Sequence, residues 1–244
     1  MQVLPRIPLK SEKIKKYYIV KYKTIPIVPK KPKVNEELGK TFEMAICILY
    51  GIKYTGVFKY NMKNAKSLSI KLTKLRYYIS HLEHLGSRPT NDFKTDIGFL
   101  NAKTTRGDGK VCPQVIGQPC LESFCNYFGC NKEKIKSFVE TNINIILEEY
   151  IENTFSSPIV YYNEKTNTII LVRIIDTINW ENYPVNFSHI KNNKEWNEST
   201  TLYFDNKSLG EFQIHKNRDC IKFRWKFENL LKMFPENFKI IDIY

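Results

Sequence analysis

The sequence contains no run of about 18 consecutive apolar residues, the length a helix needs to cross a bilayer, so no membrane span is expected. Its opening residues, MQVLPRIPLKSEK, lack the apolar segment of a secretory signal. Cysteine is sparse, with six in 244 residues, and no pair has the C-x2-C spacing. That excludes a disulfide framework and the usual zinc-finger pattern, and it leaves buried free thiols in a reduced interior as the expectation. No internal repeat and no linker divides the chain. Acids are also short: 25 Asp and Glu stand against 38 Lys and Arg, a net charge of +13. Such an excess points to a polyanionic partner, nucleic acid before an anionic membrane. An intracellular setting follows, cytoplasmic or nucleoid-associated, with a viral origin left open. Hydrophobic residues make up 42%, so a sizeable core is available and general disorder is excluded.

Residues 1–34 read as a basic N-terminal arm. Residues 1–35 hold ten Lys and Arg and one acid, Glu12, and five prolines keep them extended. The remainder, 35–244, reads as a single domain, with a core over 35–155 and a strand-rich part over 156–244. A helix is expected over 35–51, capped by Asn35, with Leu38, Phe42, Ala45, Ile46 and Leu49 as its apolar stripe. A second amphipathic helix is expected over 67–86, through Leu68, Leu72, Leu75, Ile79 and Leu82. A long helix is expected over 132–155. The segment 158–175 has the pattern of a hairpin turning at NEKTN, and 200–217 that of another turning at Asp205-Asn206-Lys207. The stretch 220–234 begins as a strand and ends as a short helix. Helices, a hairpin, more helices and then antiparallel strands imply an α/β fold, an α+β mixed sheet with flanking helices and a C-terminal antiparallel strand region.

The chemistry concentrates in DFKTDIGFLNAKTTRGDGK, residues 92–110. Phosphodiester hydrolysis commonly uses a divalent cation with oxygen ligands, which supplies a nucleophilic hydroxide and offsets charge on the phosphate. A nearby Lys can hold the scissile phosphate or polarise the attacking water. The kit is an Asp, a second oxygen donor and a Lys. A hairpin can gather them, because alternate residues of a strand share a face. Asn101 and Lys103 are two apart and point the same way, with Phe99 on that face. Asp92 lies nine residues before Asn101, which suits a hairpin turning near Asp96-Ile97-Gly98. Asp96 lies five before it, which requires a tighter turn. Both remain candidates.

This D…N-x-K pattern after an apolar strand resembles the active-site motif of the PD-(D/E)xK nucleases, the restriction endonuclease-like fold. Asn101 stands where the family usually carries an acid, and some type II restriction endonucleases have Asn or Ser there. Lys94-Thr95-Asp96 resembles a variant of the family's Pro-Asp element. The resemblance implies a metal-dependent, sequence-specific double-stranded DNA endonuclease of the type II restriction kind. It implies Mg²⁺ (or Mn²⁺), no small-molecule cofactor, and a homodimer. Asp92 or Asp96 would hold the metal with Asn101, and Lys103 would orient the water. In this family a Glu can come from the first helix or from a helix after the Lys strand, so Glu43 and Glu122 are the candidates for a further carboxylate.

The remaining charges suit DNA contact. Arg106, Lys110, Gln114 and Gln118 follow the motif in a turn-rich segment. Gln213, His215, Arg218 and Arg224 lie close together in the strand-rich part, and Arg and Gln are suited to reading guanine and adenine edges. A non-catalytic basic nucleic-acid-binding or packaging protein is the alternative: it needs the same charge but no metal site.

Overall fold

The computed structural model describes residues 34–57, 60–86, 90–107, 109–112, 116, 120–214 and 219–244. The basic arm lies outside them, except for Val34, which opens the first helix.

In chain order the elements are α1 (Val34–Tyr50), α2 (Met62–Lys71), β1 (Leu82–His84), β2 (Phe93–Thr95), β3 (Gly98–Thr105), β4 (Lys110–Val111), α3 (Leu121–Phe128), α4 (Ile135–Thr141), α5 (Ile143–Thr154), β5 (Ile159–Asn163), β6 (Thr168–Ile174), β7 (Asn186–Phe187), α6 (Ser188–Lys191), β8 (Ser199–Phe204), β9 (Lys207–Ile214), β10 (Ile221–Lys226), α7 (Phe227–Met233) and β11 (Phe238–Asp242). They build two sheets. The six-stranded sheet has the order β1-β2-β3-β5-β6-β11, and the five-stranded one β4-β10-β9-β8-β7. Only β3 and β5 are paired in parallel within the six-stranded sheet. A parallel neighbour needs a long crossover, and α3, α4 and α5 provide it. The result is a mixed α/β architecture with a mixed sheet and flanking helices.

Central β5 is buried on both faces, as a strand covered by helices on both sides must be. Val160 and Tyr162 join Leu100, Ile169 and Leu171 under the α1 stripe, where Phe42, Ala45 and Ile46 have no exposed surface. Ile159 and Tyr161 lie in the second core, with Ile146, Leu147, Tyr150 and Ile151 of α5. Helix α5 also carries the five-stranded sheet. Tyr150 packs on Phe223 at 5.1 Å between ring centroids, and the indole N–H of Trp225 donates to Thr154 Oγ1 at 2.9 Å. One buried glycine and one exposed turn are tightly specified in this sheet. A Cβ at Gly210 would come within 2.4 Å of the Phe223 ring. The β8–β9 turn needs positive φ at Asp205 and Asn206, which take 47° and 58°.

Two helical expectations need correction. The second helix starts at Met62, capped by Asn61, whose side chain accepts the Asn64 N–H at 3.1 Å. It ends at Lys71; a 3-10 turn follows, and Leu82–His84 is a strand. Leu68, Leu72, Leu75, Ile79 and Leu82 are all buried as their spacing requires, but pairing with β2 gives residues 82–84 their hydrogen bonds. The long helix over 132–155 is divided. Residues 132–134 form a 3-10 turn, and α4 and α5 meet at Asn142. The Asn142 side chain donates to the Phe138 carbonyl at 2.9 Å, a local bond that competes with the helical ladder.

Candidate functional site

The motif hairpin forms as its alternation dictates. β2 and β3 pair from Thr95↔Gly98 to Phe93↔Leu100, and there they part. Asp92 is the next residue. Its backbone N–H donates to Asn101 Oδ1 at 3.3 Å, and its carboxylate Oδ2 accepts the Ala102 N–H at 2.8 Å. The Asn101 amide nitrogen donates to Ser157 Oγ at 2.9 Å and to Asn91 Oδ1 at 3.2 Å. Asn101 is buried, and its side chain ties the 91–92 loop to β3 and to the segment entering β5. Two residues on, Lys103 shares its face, and both line a recess with Asn91, Asn153 and Thr154.

Glu43 reaches the same region from α1. It is 6% exposed, and Lys40 Nζ holds both its oxygens, at 2.8 and 3.0 Å. His84 Nε2 lies 3.6 Å from its Oε2. Burial pushes the Glu43 carboxyl up, but His84 and the Lys40 ammonium outweigh it, and the group sits below its ordinary value. Asp92 moves the other way. Burial raises it, the Lys103 charge opposes the rise, and the Glu43 charge adds to it. The Glu43 field is thus felt at Asp92, and both carboxylates are felt at Tyr54, whose hydroxyl burial pushes well up. The donor set fits a hard divalent cation: a buried and a half-buried carboxylate with a carboxamide oxygen close by, and a Lys alongside. Among the described residues, no three of His, Cys, Asp and Glu form a metal-holding group, so protein carboxylates alone would not complete a coordination shell.

The other candidates are placed as follows. Asp96 is exposed in the β2–β3 turn, where its Oδ2 accepts the Ser80 hydroxyl at 2.6 Å. It is separated from Asp92 by the length of β2, roughly 13 Å of extended chain, and does not join the cluster. Glu122 occupies the first turn of α3, where its charge acts on Lys132; it is not among the groups acting on Asp92 or Glu43.

Lys103 also lines a larger cleft with Arg106, Lys110 and Arg224. Arg106 pairs with Glu164 at 3.3 Å. Glu211 organises the far wall: its Oε2 accepts from Arg224 at 2.7 Å and Lys110 at 3.2 Å, and its Oε1 from Gln213 at 3.3 Å. Burial raises the Glu211 carboxyl, but Arg224 and Lys110 bring it below its ordinary value. Gln114, Gln118, His215 and Arg218 lie outside the described residues.

Sequence reasoning missed Lys40, Tyr54, His84, Asn91 and Ser157. His84 falls within the helix expected over 67–86, and the strand that carries it buries it instead. The usable signal was weak: alternation at Leu82-Glu83-His84 spans only three residues. Among the described residues, no helix is long and apolar enough to cross a membrane.

A mixed sheet with flanking helices, and an Asp, a Glu and a Lys where two of its strands part, is compatible with a restriction endonuclease-like core. The chain is 43% identical over 214 residues to the type II restriction enzyme CviAII of Paramecium bursaria Chlorella virus 1. The match takes in 85% of this chain and 63% of that relative, so the chain spans less than two thirds of the relative's length. No family model matches the chain, and no solved structure matches it.

Proposed function

We propose that the chain is a metal-dependent, sequence-specific double-stranded DNA endonuclease of the type II restriction kind. The observation that carries this reading is the convergence of Asp92, Glu43 and Lys103 where β2 and β3 part, opening on a cleft with Arg106, Lys110 and Arg224. The similarity to a type II restriction enzyme agrees with it. Asp92 and Glu43 are the residues that would hold Mg²⁺ (or Mn²⁺). When bound, the ion supplies a hydroxide nucleophile and offsets charge on the phosphate. Lys103 holds the scissile phosphate and orients the attacking water from the same strand face as Asn101. Asn101 acts through Asp92, whose backbone it fixes. Arg106 and Lys110 meet phosphates, and Arg224 and Gln213, held in place by Glu211, face bases. Two chains act together, one for each DNA strand.

The deciding experiment is incubation with several plasmids and Mg²⁺, with EDTA as control. Discrete bands that disappear with EDTA are expected. DNA left intact under Mg²⁺ and Mn²⁺ would overturn the reading.

A further inference from the structure

We propose that His84 is a positioning residue for Glu43, its Nε2–H steadying the Glu43 carboxylate for a divalent cation; this rests on the metal-dependent reading above. The tautomer follows from one bond. The Thr55 backbone N–H donates to His84 Nδ1 at 2.9 Å. A backbone amide can only donate, so Nδ1 presents its lone pair and the ring hydrogen is on Nε2. That nitrogen is buried without a hydrogen-bond partner, and Glu43 Oε2 lies 3.6 Å from it. A buried N–H is rarely left unpaired, and a small shift of the carboxylate satisfies it.

The ring is held rigidly enough for this task. Its side chain has no exposed surface. Tyr54 stacks on it at 4.7 Å, and Phe93 packs at 5.2 Å. His84 is also the register partner of Phe93, the residue after Asp92, and the Leu85 N–H donates to the Asp92 carbonyl at 3.0 Å. The β1–β2 pair therefore sets the partner of one carboxylate and the backbone of the other. Lys40 holds the Glu43 oxygens in the structure described. A divalent cation would displace that ammonium, and the His84 N–H would then be the protein contact that keeps the carboxylate oriented. Outer contacts of this type typically change metal affinity by roughly 10–100-fold when removed.

Two substitutions separate this role from simple packing. His84→Gln can keep a donor near the Nε2 position, whereas His84→Asn can keep an acceptor for Thr55 but its shorter amide does not extend to the Nε2 position. Affinity is read by calorimetry with Ca²⁺ and by Mn²⁺ paramagnetic resonance, without DNA. We expect His84→Asn to lose roughly 10–100-fold in affinity and His84→Gln to keep most of it. Equal losses in both, or none in His84→Asn, would overturn the proposal while wild type still binds metal. Absence of binding by wild type would instead overturn the metal reading itself, and the proposal with it. Nitrogen NMR of wild type needs no variant: an Nε2-protonated neutral ring at His84 supports the proposal, and an Nδ1-protonated ring overturns it.

Discussion

The side-chain oxygen of Asn101 accepts the backbone N–H of Asp92 at 3.3 Å, where the β2–β3 ladder would otherwise continue. A neutral amide suits this position. It accepts from Asp92 while its nitrogen donates to Asn91 and Ser157. A carboxylate there would have no hydrogen to offer either partner.

Asn101→Ala is therefore expected to destabilise the fold by about 1–3 kcal/mol, the range for leaving buried polar partners unpaired. Asn101→Asp should do likewise, despite restoring the acid of the motif. Urea unfolding checks both. An Asp variant as stable as wild type would show that the bonds to Asn91 and Ser157 contribute little.

Lys103→Ala and Asp92→Ala should separate catalysis from binding. Each is expected to lower cleavage by at least about 10²–10³-fold, the range for removing one electrostatic contact to a reacting group. Lys103→Ala should keep DNA affinity within a few-fold. The check is single-turnover cleavage beside filter binding in Ca²⁺, and undiminished cleavage by either variant would remove that residue from the mechanism.

Stability should respond to pH through Asp92 in one sense and through Glu43 in the other. Asp92 is raised by burial even with Lys103 beside it. The folded chain thus holds this proton more tightly than the unfolded one. Its contribution is greatest below the ordinary carboxylate value and is lost as pH rises through the raised one. Glu43 is lowered, so its contribution is present above the ordinary value and lost as pH falls through the lowered one. Asp92→Asn should flatten the decline on the rising side. Urea melts of both proteins from about pH 3 to about pH 7 check this, and parallel profiles would contradict it. Metal affinity should climb with pH through the Asp92 window, since a ligating carboxylate must be ionised.

Arg224→Ala should relax sequence preference, costing roughly 1–3 kcal/mol of discrimination at one base pair. Arg106→Ala should instead weaken binding to all sequences alike and lower the salt slope by about one. Competition binding across salt concentrations distinguishes them. A uniform loss in Arg224→Ala would make that residue a phosphate contact.

Much of this was set locally. The apolar stripe of α1, the turns at NEKTN and Asp205-Asn206, and the shared face of Asn101 and Lys103 follow from periods of 3.6 and 2 and from turn chemistry, all contained within a few residues. The same locality explains the errors. Residues 67–86 satisfy helical spacing, and nothing nearby reports that residues 82–84 pair with β2.

The placement of Asp92 and Asp96 belonged to tertiary structure. It depends on where β2 and β3 part, and Asn101 marks that point through Ser157, 56 residues further along the chain. Likewise only packing brought Glu43 from α1 and His84 from β1 to within 3.6 Å. Sequence alone determined which side chains share a strand face, because that is fixed by backbone geometry. The tertiary structure decided which carboxylates come together, because that depends on contacts between segments far apart in the chain.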